Sequence, residues 1–463
     1  MSFPLVYQRP EFGKLWLAQL IAFIGDGIFQ IAMVMWLIQK TNSGTLVGLI
    51  ISVSFLPAVL IGPFAGTLAD RLPPKVLLIG ADVSRGLLLA IFAGVAGNDL
   101  LEVWHLFLIC SLLATAGVFH SPTTLAVIPR LVSPDQIDGA MALHTVVRDL
   151  SKLIGPALGG FIVARWSVPV AFACNAFALF FSAACIAMMS IPPRTATGGD
   201  KQVLTQLWEG LAYVRRQDTI FRMLSGFAFL NLFAAQILVL LPLTVMQLLL
   251  RDSVALGFCE GALALGSVAI GFFFVQILTR IPTSKLFLGS MAGSGVLFLV
   301  FAGNVRFWKT LASLFAPAAT AEAMVGAPGW GSWGLLVAPY PTFIVGLFLL
   351  GGCFAAVNIA ALTIFQKIVA PDMKGRFFSL VEALSYVSLP LASALAGYLA
   401  DHAGIPVTYV IGGVGLLILT WRFSRIPGLT SFDQAEAAAG APSPSPDETN
   451  QPAQNREPEN VLP

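Results

Sequence analysis

GPFAGTLADRLPPK, residues Gly62–Lys75, is the stretch whose reading decides the fold. Small residues (Gly62, Pro63, Ala65, Gly66) end an apolar run, and Asp70 and Arg71 follow at once. Pro73 and Pro74 make a short turn, and beyond Lys75 a second long apolar run begins. Two membrane helices joined by a tight, charged turn read this way, because charge is costly in hydrocarbon and proline breaks a helix. The alternative is a chance charged turn, since every polytopic protein needs such turns. The placement of Gly66, Asp70, Arg71 and Lys75 between the second and third apolar runs argues against chance.

Composition supports a membrane reading. The chain has 463 residues, 57% hydrophobic and 11% charged, whereas soluble domains carry about 25% charge. Its 43 glycines fit the same class, since glycine is more frequent in membrane helices than in soluble ones. A net charge of +2 makes no case for a nucleic-acid partner. The five cysteines lie inside apolar runs without a CxxC or Cys/His cluster, so neither a disulfide framework nor a metal site nor a cofactor is expected. The first apolar run, from near Leu15, exceeds 20 residues and leads into further spans, unlike a cleavable signal peptide.

At about 20 residues per span, twelve spans are expected. They fall near 15–38, 45–69, 76–97, 103–126, 140–164 and 168–190, then 222–249, 254–278, 285–303, 341–365, 377–401 and 405–424. The fold class expected is therefore an all-α membrane protein of two six-helix halves. Residues 1–190 form the first bundle, 191–221 a cytoplasmic linker, 222–425 the second bundle and 426–463 a Pro/Ala/Ser-rich disordered tail. With both termini inside, inside segments hold 17 Lys/Arg and outside segments five. The positive-inside rule then places both termini in the cytoplasm of a bacterial inner membrane.

The chain repeats itself. Arg130–Asp135 reads RLVSPD and Lys367–Asp372 reads KIVAPD, each before a span with a proline about 20 residues on, Pro156 and Pro390. Gly62 and Gly271 each stand nine residues before an arginine, Arg71 and Arg280. The two offsets are 237 and 209, and the difference is absorbed in an outside segment, 304–340. Parallel duplication of six helices follows. The second copy of the opening turn has Thr279 where the first has Asp70. In the linker, 203–217 sets Val203, Leu207, Leu211 and Val214 on one face. It is expected either as an amphipathic helix on the inner membrane surface or as a plain connecting helix.

Charges inside spans are costly and face a cavity or a partner. Asp82 and Arg85, three apart, are expected as a structural pair on one helix face. Asp26 sits mid-span in FIGDGIF with no basic residue within a turn. An isolated carboxyl at low dielectric prefers its protonated form, which makes Asp26 a proton-coupling candidate; a carboxyl hydrogen-bonded to a neighbouring helix is the alternative. In VVRDLSKLIGPALGG, Asp149 and Lys152 can pair, leaving Arg148 for another helix or the cavity; Arg148 and Asp149 join the coupling candidates. Glu260 and Glu382 are candidates for a central cavity and a cationic substrate group. His120 is expected as a structural hydrogen-bonder or, less simply, a proton relay. No GxxxxGK[ST] loop, Ser/His/Asp set or HExxH motif is present, which argues against direct ATP drive and against an enzyme.

The pattern Gly66-x-x-x-Asp70-Arg71-x-x-x-Lys75 resembles the loop between helices 2 and 3 of major facilitator superfamily (MFS) transporters. Gly155-Pro156-x-x-Gly159-Gly160 resembles the fifth-helix motif of drug/proton antiporters of that superfamily. IGDGIFQIAMVMWL, EGLAYVRR and QKIVAPDMKGRFFSL are similar to the twelve-helix group of macrolide-efflux and enterobactin-exporter relatives. The resemblance implies proton-driven efflux of hydrophobic or amphiphilic small molecules by rocker-switch alternation, in a monomer working with protons, substrate and the bilayer. It also implies a gate in which Asp70 meets the start of helix 11 near Gly375 and Arg376, with Gly66, Arg71 and Lys75. Lys152, where relatives often have arginine, departs from the pattern. A dedicated siderophore or lipid-like metabolite exporter is the same-fold rival; a membrane enzyme or sensor is the rival of another class.

Overall fold

The computed structural model describes residues 4–191, 203–278, 281–315, 339–370 and 373–426; the side chains of residues 4, 63–71, 203–208, 210, 272–278, 305–306, 308–315, 375, 379 and 386 lie outside this description. The expected tail, 427–463, lies outside it too. The described residues are helical and connected by short turns. A short α1, Pro4–Gln8, precedes α2 (Pro10–Thr41), α3 (Gly44–Arg71), α4 (Pro74–Gly97), α5 (Val103–Leu131), α6 (Ile137–Arg165) and α7 (Val168–Ala187). The linker helix α8 is Val203–Arg216. The second set is α9 (Asp218–Ala234) running on as α10 (Ile237–Leu243), α11 (Ser253–Leu278), α12 (Thr283–Phe315), α13 (Pro339–Ile368), α14 (Lys374–His402) and α15 (Ile405–Ser424).

Among the described residues, eleven helices are long and apolar enough to cross a membrane, with α9 and α10 counted as one. The remaining expected span, the fifth, is α6; it has the length but carries Arg148, Asp149 and Lys152 near its middle. Packing holds it in place nonetheless, between α2 of its own half and α11 of the other. The ninth span differs from expectation: α12 continues to Phe315, where the sequence suggested an end near residue 303.

Local chemistry explains the helix ends. Proline opens α2, α4 and α7, where its fixed φ is an asset and its missing N–H costs nothing. At the end of α2, Asn42 turns left-handed (φ 51°) and its N–H returns to the Ile38 carbonyl. Past Pro242, α10 widens into a π turn over Thr244–Leu248, with the Leu249 N–H on the Thr244 carbonyl.

The duplication read from the sequence recurs in the helix starts. Lys374 minus Ile137 is 237, and Thr283 minus Pro74 is 209, the two offsets of the sequence repeat. Within the first half α2 packs on α6 and α7, α4 on α7 and α5, and α3 on α5. Within the second, α11 and α15 flank α12 and α13, and α9 packs on α14 and α15. The halves meet along two helix pairs, α3 with α14 and α6 with α11.

Both seams are built on small residues. A Cβ on Gly48 would collide with the Ser393 carbonyl, one on Gly397 with that of Gly44, and one on Gly160 with that of Ser253. Close backbone approach of this kind holds membrane helices together where lipid removes the hydrophobic drive. Ser253 Oγ–H donates to the Gly160 carbonyl (2.8 Å) and Ser52 Oγ–H to the Pro390 carbonyl (2.7 Å), each across the seam.

Candidate functional site

Asp26 is not the isolated carboxylate that its own helix suggested. Arg85, on α4, reaches it with a fork: Nη2 lies 2.6 Å from Oδ1 and 2.8 Å from Oδ2. Asn175 on α7 adds a weaker Nδ2–H donation to Oδ1 (3.3 Å). The partner is 59 residues away in sequence, so no inspection of neighbouring turns finds it. The alternative reading, a carboxyl bound to a neighbouring helix, is the one the geometry follows.

The same arginine also makes the pair expected on its own helix, at longer range. Arg85 Nη1 is 3.9 Å from Asp82 Oδ1, so Asp82 is its second partner and not its first. Asp82 is fully buried, takes a 2.6 Å hydrogen bond from Ser182 Oγ on α7, and has His120 Nε2 of α5 at 3.2 Å from Oδ1. Asp26, Arg85, Asp82, His120, Asn175 and Ser182 thus form one buried cluster that joins α2, α4, α5 and α7. Its exposure is graded: Asp26's side chain is 36% accessible, Arg85's 12%, His120's 9% and Asp82's 0%.

Asp26 is where this cluster touches a cavity of about 540 Å³ between the halves. From the first half come Phe23, Gly27, Gln30, Phe55, Arg148, Ser151, Lys152 and Pro156; from the second come Ile237, Leu238, Leu241, Pro242, Glu260, Leu263 and Ser267. Of the coupling candidates, Asp26 and Arg148 therefore share this space. Asp149 pairs with Lys152 (3.3 Å) as its spacing suggested, and Arg148 Nε stands 3.9 Å from it. Glu260 brings a carboxylate from the opposite half and has no ion-pair partner among the described residues. Glu382 is exposed and is not part of the cavity lining.

GPALGG is a packing motif by geometry. A Cβ on Gly155 would stand 2.9 Å from the Ile24 carbonyl, and one on Gly159 2.9 Å from the Ile28 Cα, so that face of α6 lies hard against α2. Pro156 and Gly160 take the other seam, against Gly257 and Ser253 of α11. The motif brings Arg148 and Lys152 to the cavity wall because it sits one to three turns beyond them on the helix that bridges the halves.

The gate expected from the opening stretch is only partly within view. α3 is helical through Arg71, but the side chains of Gly66, Asp70 and Arg71 lie outside the description, as does that of Gly375. Lys75 Nζ caps the end of α7 through the Met189 carbonyl (2.8 Å). Arg376 pairs with Glu209 of the linker helix (Nε–Oε2 3.1 Å). Tyr213 of the same helix accepts the Ala370 N–H, and Val214 is buried in the core. That end of α8 therefore packs on the second half.

One residue absent from the sequence reading stands at the far end of the α3–α14 seam. Asp401 of α14 accepts the Gly44 N–H (2.6 Å), the Thr45 N–H (2.9 Å) and the Ser43 hydroxyl (2.8 Å). It caps the start of a helix in the other half, where free amides and the dipole favour an anion. Gln247 donates beside it to Asn42 Oδ1 (3.0 Å). No local signal marked Asp401, since an acid at a span end has many uses.

Two halves of helices meeting at small-residue seams around a central cavity that a few charged groups face define a membrane transporter fold. The chain belongs to the transmembrane secretion effector family of the major facilitator superfamily, whose family model matches residues 4–327. Macrolide efflux protein A of Streptococcus pyogenes is 22% identical over 413 residues, covering 88% of this chain and 94% of that protein. The multidrug efflux pump Tap of Mycobacterium bovis is 22% identical over 439 residues, covering 91% and 94%. Among solved structures, the nucleoside transporter NupG aligns with a TM-score of 0.65 at 14% identity, over 90% of this chain and all of that one. A bacterial homologue of the iron transporter ferroportin in an inward-facing state aligns with a TM-score of 0.63, also at 14% identity, over 90% and 99%. Likeness at that identity carries the fold alone. The family is one of transporters and not of enzymes.

Proposed function

We propose that this protein is a secondary active exporter that carries amphiphilic small molecules outward in exchange for protons, exposing its central cavity alternately to the two sides of a bacterial plasma membrane. The observation that carries the reading is the cavity itself. Phe23, Phe55, Leu238 and Leu241 offer an apolar lining, and Asp26 and Glu260 face the same space from opposite halves. Asp26 is held by Arg85 yet a third exposed, so an incoming group can compete for it. The macrolide and multidrug pumps among its relatives support efflux as the direction.

With both termini cytoplasmic, the end closed by Asp401 on α3 and Ser253 on Gly160 faces outward, and the cavity belongs to an inward-facing exporter. Asp26, Arg85, Arg148 and Asp149 then form the coupling wall, and Glu260 is a second carboxylate that draws a cationic group into the cavity across from Asp26. Asp70 at the inner end of α3 is the gate residue toward the start of α14, with Arg71, Lys75 and Arg376 in support. Proteoliposomes loaded by an imposed pH gradient, with erythromycin as the probe, test the reading. Accumulation collapses when the gradient is dissipated, and Asp26→Asn abolishes gradient-driven accumulation in a folded protein. Accumulation indifferent to the gradient, or undiminished in Asp26→Asn, refutes it.

A further inference from the structure

The buried cluster of the first half is short of one positive charge. Two carboxylates, Asp26 and Asp82, share one guanidinium, Arg85. Asp82 has no exposure to share its charge with water. An uncompensated charge in a membrane interior is expensive, and such groups take up a proton or find a partner. The group placed to hold that proton is His120, whose Nε2 is 3.2 Å from Asp82 Oδ1. Asp82 Oδ1, Arg85 Nε and His120 Nε2 each lack an aligned hydrogen-bond partner among the described residues. The centre of the cluster is thus the place where hydrogen-bonding capacity is left over.

Other charges are accounted for on every packed element. α2 brings Asp26 and α4 brings Asp82 and Arg85; α7 brings only neutral Asn175 and Ser182. α3 has no titratable side chain between Gly44 and Gly62. On α6, His144 packs its ring toward Phe23 (centroids 6.2 Å), and Arg148 and Lys152 share Asp149.

We propose that the exchanged proton is carried by the His120–Asp82 pair, and that Arg85 is the switch linking it to substrate at Asp26. This rests on the reading of the protein as a proton-coupled exporter. With the cavity empty, Arg85 is committed to Asp26, and the imidazolium of His120 neutralises Asp82. A substrate cation arriving at Asp26 takes the arginine's place. Arg85 closes the 3.9 Å gap to Asp82, Asp82 no longer needs the imidazolium, and the Nε2–H bond breaks, giving its proton to solvent. One positive charge enters the cluster and one leaves, so its total charge is constant. Asp26 is then the substrate's competitor for Arg85 and never itself the proton carrier.

The charge count also predicts which variants survive. His120→Gln leaves a net negative cluster in the membrane, whereas Asp82→Asn leaves the neutral pair Asp26–Arg85. Asp82→Asn/His120→Gln should therefore melt at or above the temperature of His120→Gln, which a purely structural hydrogen bond between the two residues does not explain. The deciding experiment uses purified full-length protein in weakly buffered detergent with a pH-indicator dye. Erythromycin, whose amine is cationic at pH 7, is added while its binding is followed by tryptophan fluorescence. Wild type releases about one proton per erythromycin bound, as linkage demands of competing cations. Asp82→Asn and the double variant bind more weakly, because Arg85 has no second carboxylate to move to, and they release none even at erythromycin concentrations that bring the tryptophan signal to wild-type saturation. Full release by either variant overturns the assignment of the carrier. Binding to wild type without any release overturns the proton-coupled reading itself, a distinguishable result.

Discussion

The two halves share a helix plan but not an interior. The first half buries a salt-bridged cluster from Asp26 to His120 across four helices. The second half fills the comparable volume with rings. Phe301 meets Phe343 at 4.7 Å between centroids and Tyr409 at 5.7 Å, Phe365 meets Phe377 at 5.1 Å, and Phe287 meets Phe423 at 5.2 Å, all edge-to-face. Tyr409 is fully buried, with its hydroxyl 3.1 Å from Thr244 Oγ1, a neutral contact. Glu260 is the second half's charged contribution to the cavity lining. Duplication preserved what the membrane demands of both halves, namely apolar lengths, turns and small-residue seams. It left the interior free to diverge, and the ionic chemistry gathered on one side.

The largest effect that would sharpen this contrast comes from Arg85→Ala. It leaves Asp26 and Asp82 facing each other without a cation, and removing one partner of a buried ion pair costs about 3–5 kcal/mol. Thermal melting in detergent should show that loss together with abolished transport. Stability near that of wild type would break the idea that the first half is held by its charge network.

Phe301→Ala tests the other interior. Truncating a buried phenylalanine costs about 3–5 kcal/mol, so melting drops comparably, yet the protein that remains folded should keep its dependence on the pH gradient. A change in coupling from this substitution would move ionic function into the second half.

Asp401→Asn has a smaller and more directed consequence. Weakening a helix cap costs about 1 kcal/mol, and here the cap joins the halves, so the closed end should open more often. Spin labels on either side of the Gly44–Gly397 contact should report a larger open population, with little change in melting. An unaltered distance distribution would remove Asp401 from the gate.

Glu260→Gln should have the narrowest effect. Apparent affinity for erythromycin falls about tenfold, worth roughly 1.4 kcal/mol, while a neutral amphiphile is handled as before. Equal losses for both would make Glu260 a structural residue and the second half wholly passive.

How far the sequence could be read depended on the range of each interaction. Most of the apolar spans and the repeat were legible because hydrophobic length is a property of consecutive residues; the end of the ninth span, which runs on to Phe315, was not. The offsets of 237 and 209 recur in the helix starts. Asp149 with Lys152 was legible because three residues is a helical neighbour. Arg85 with Asp26 was not: the pair spans 59 residues and depends on how α4 is rotated against α2. The same rule of helical neighbours found Asp82–Arg85, at 3.9 Å, but could not show that Arg85 is held more closely by Asp26. A long arginine reaches another helix as easily as its own. Asp401 was invisible for a related reason, since its partners are backbone amides of another half.

The sequence by itself determined that the chain lies in a membrane, which segments are apolar enough to span it, and which residues carry charge there. Those facts follow from transfer free energies, which add along the chain. Only the tertiary structure decided which charges meet. Asp26 became an ion pair, His120 became the neighbour of a buried acid, and Glu260 faced a shared cavity, because pairing energy depends on distances that only helix packing sets.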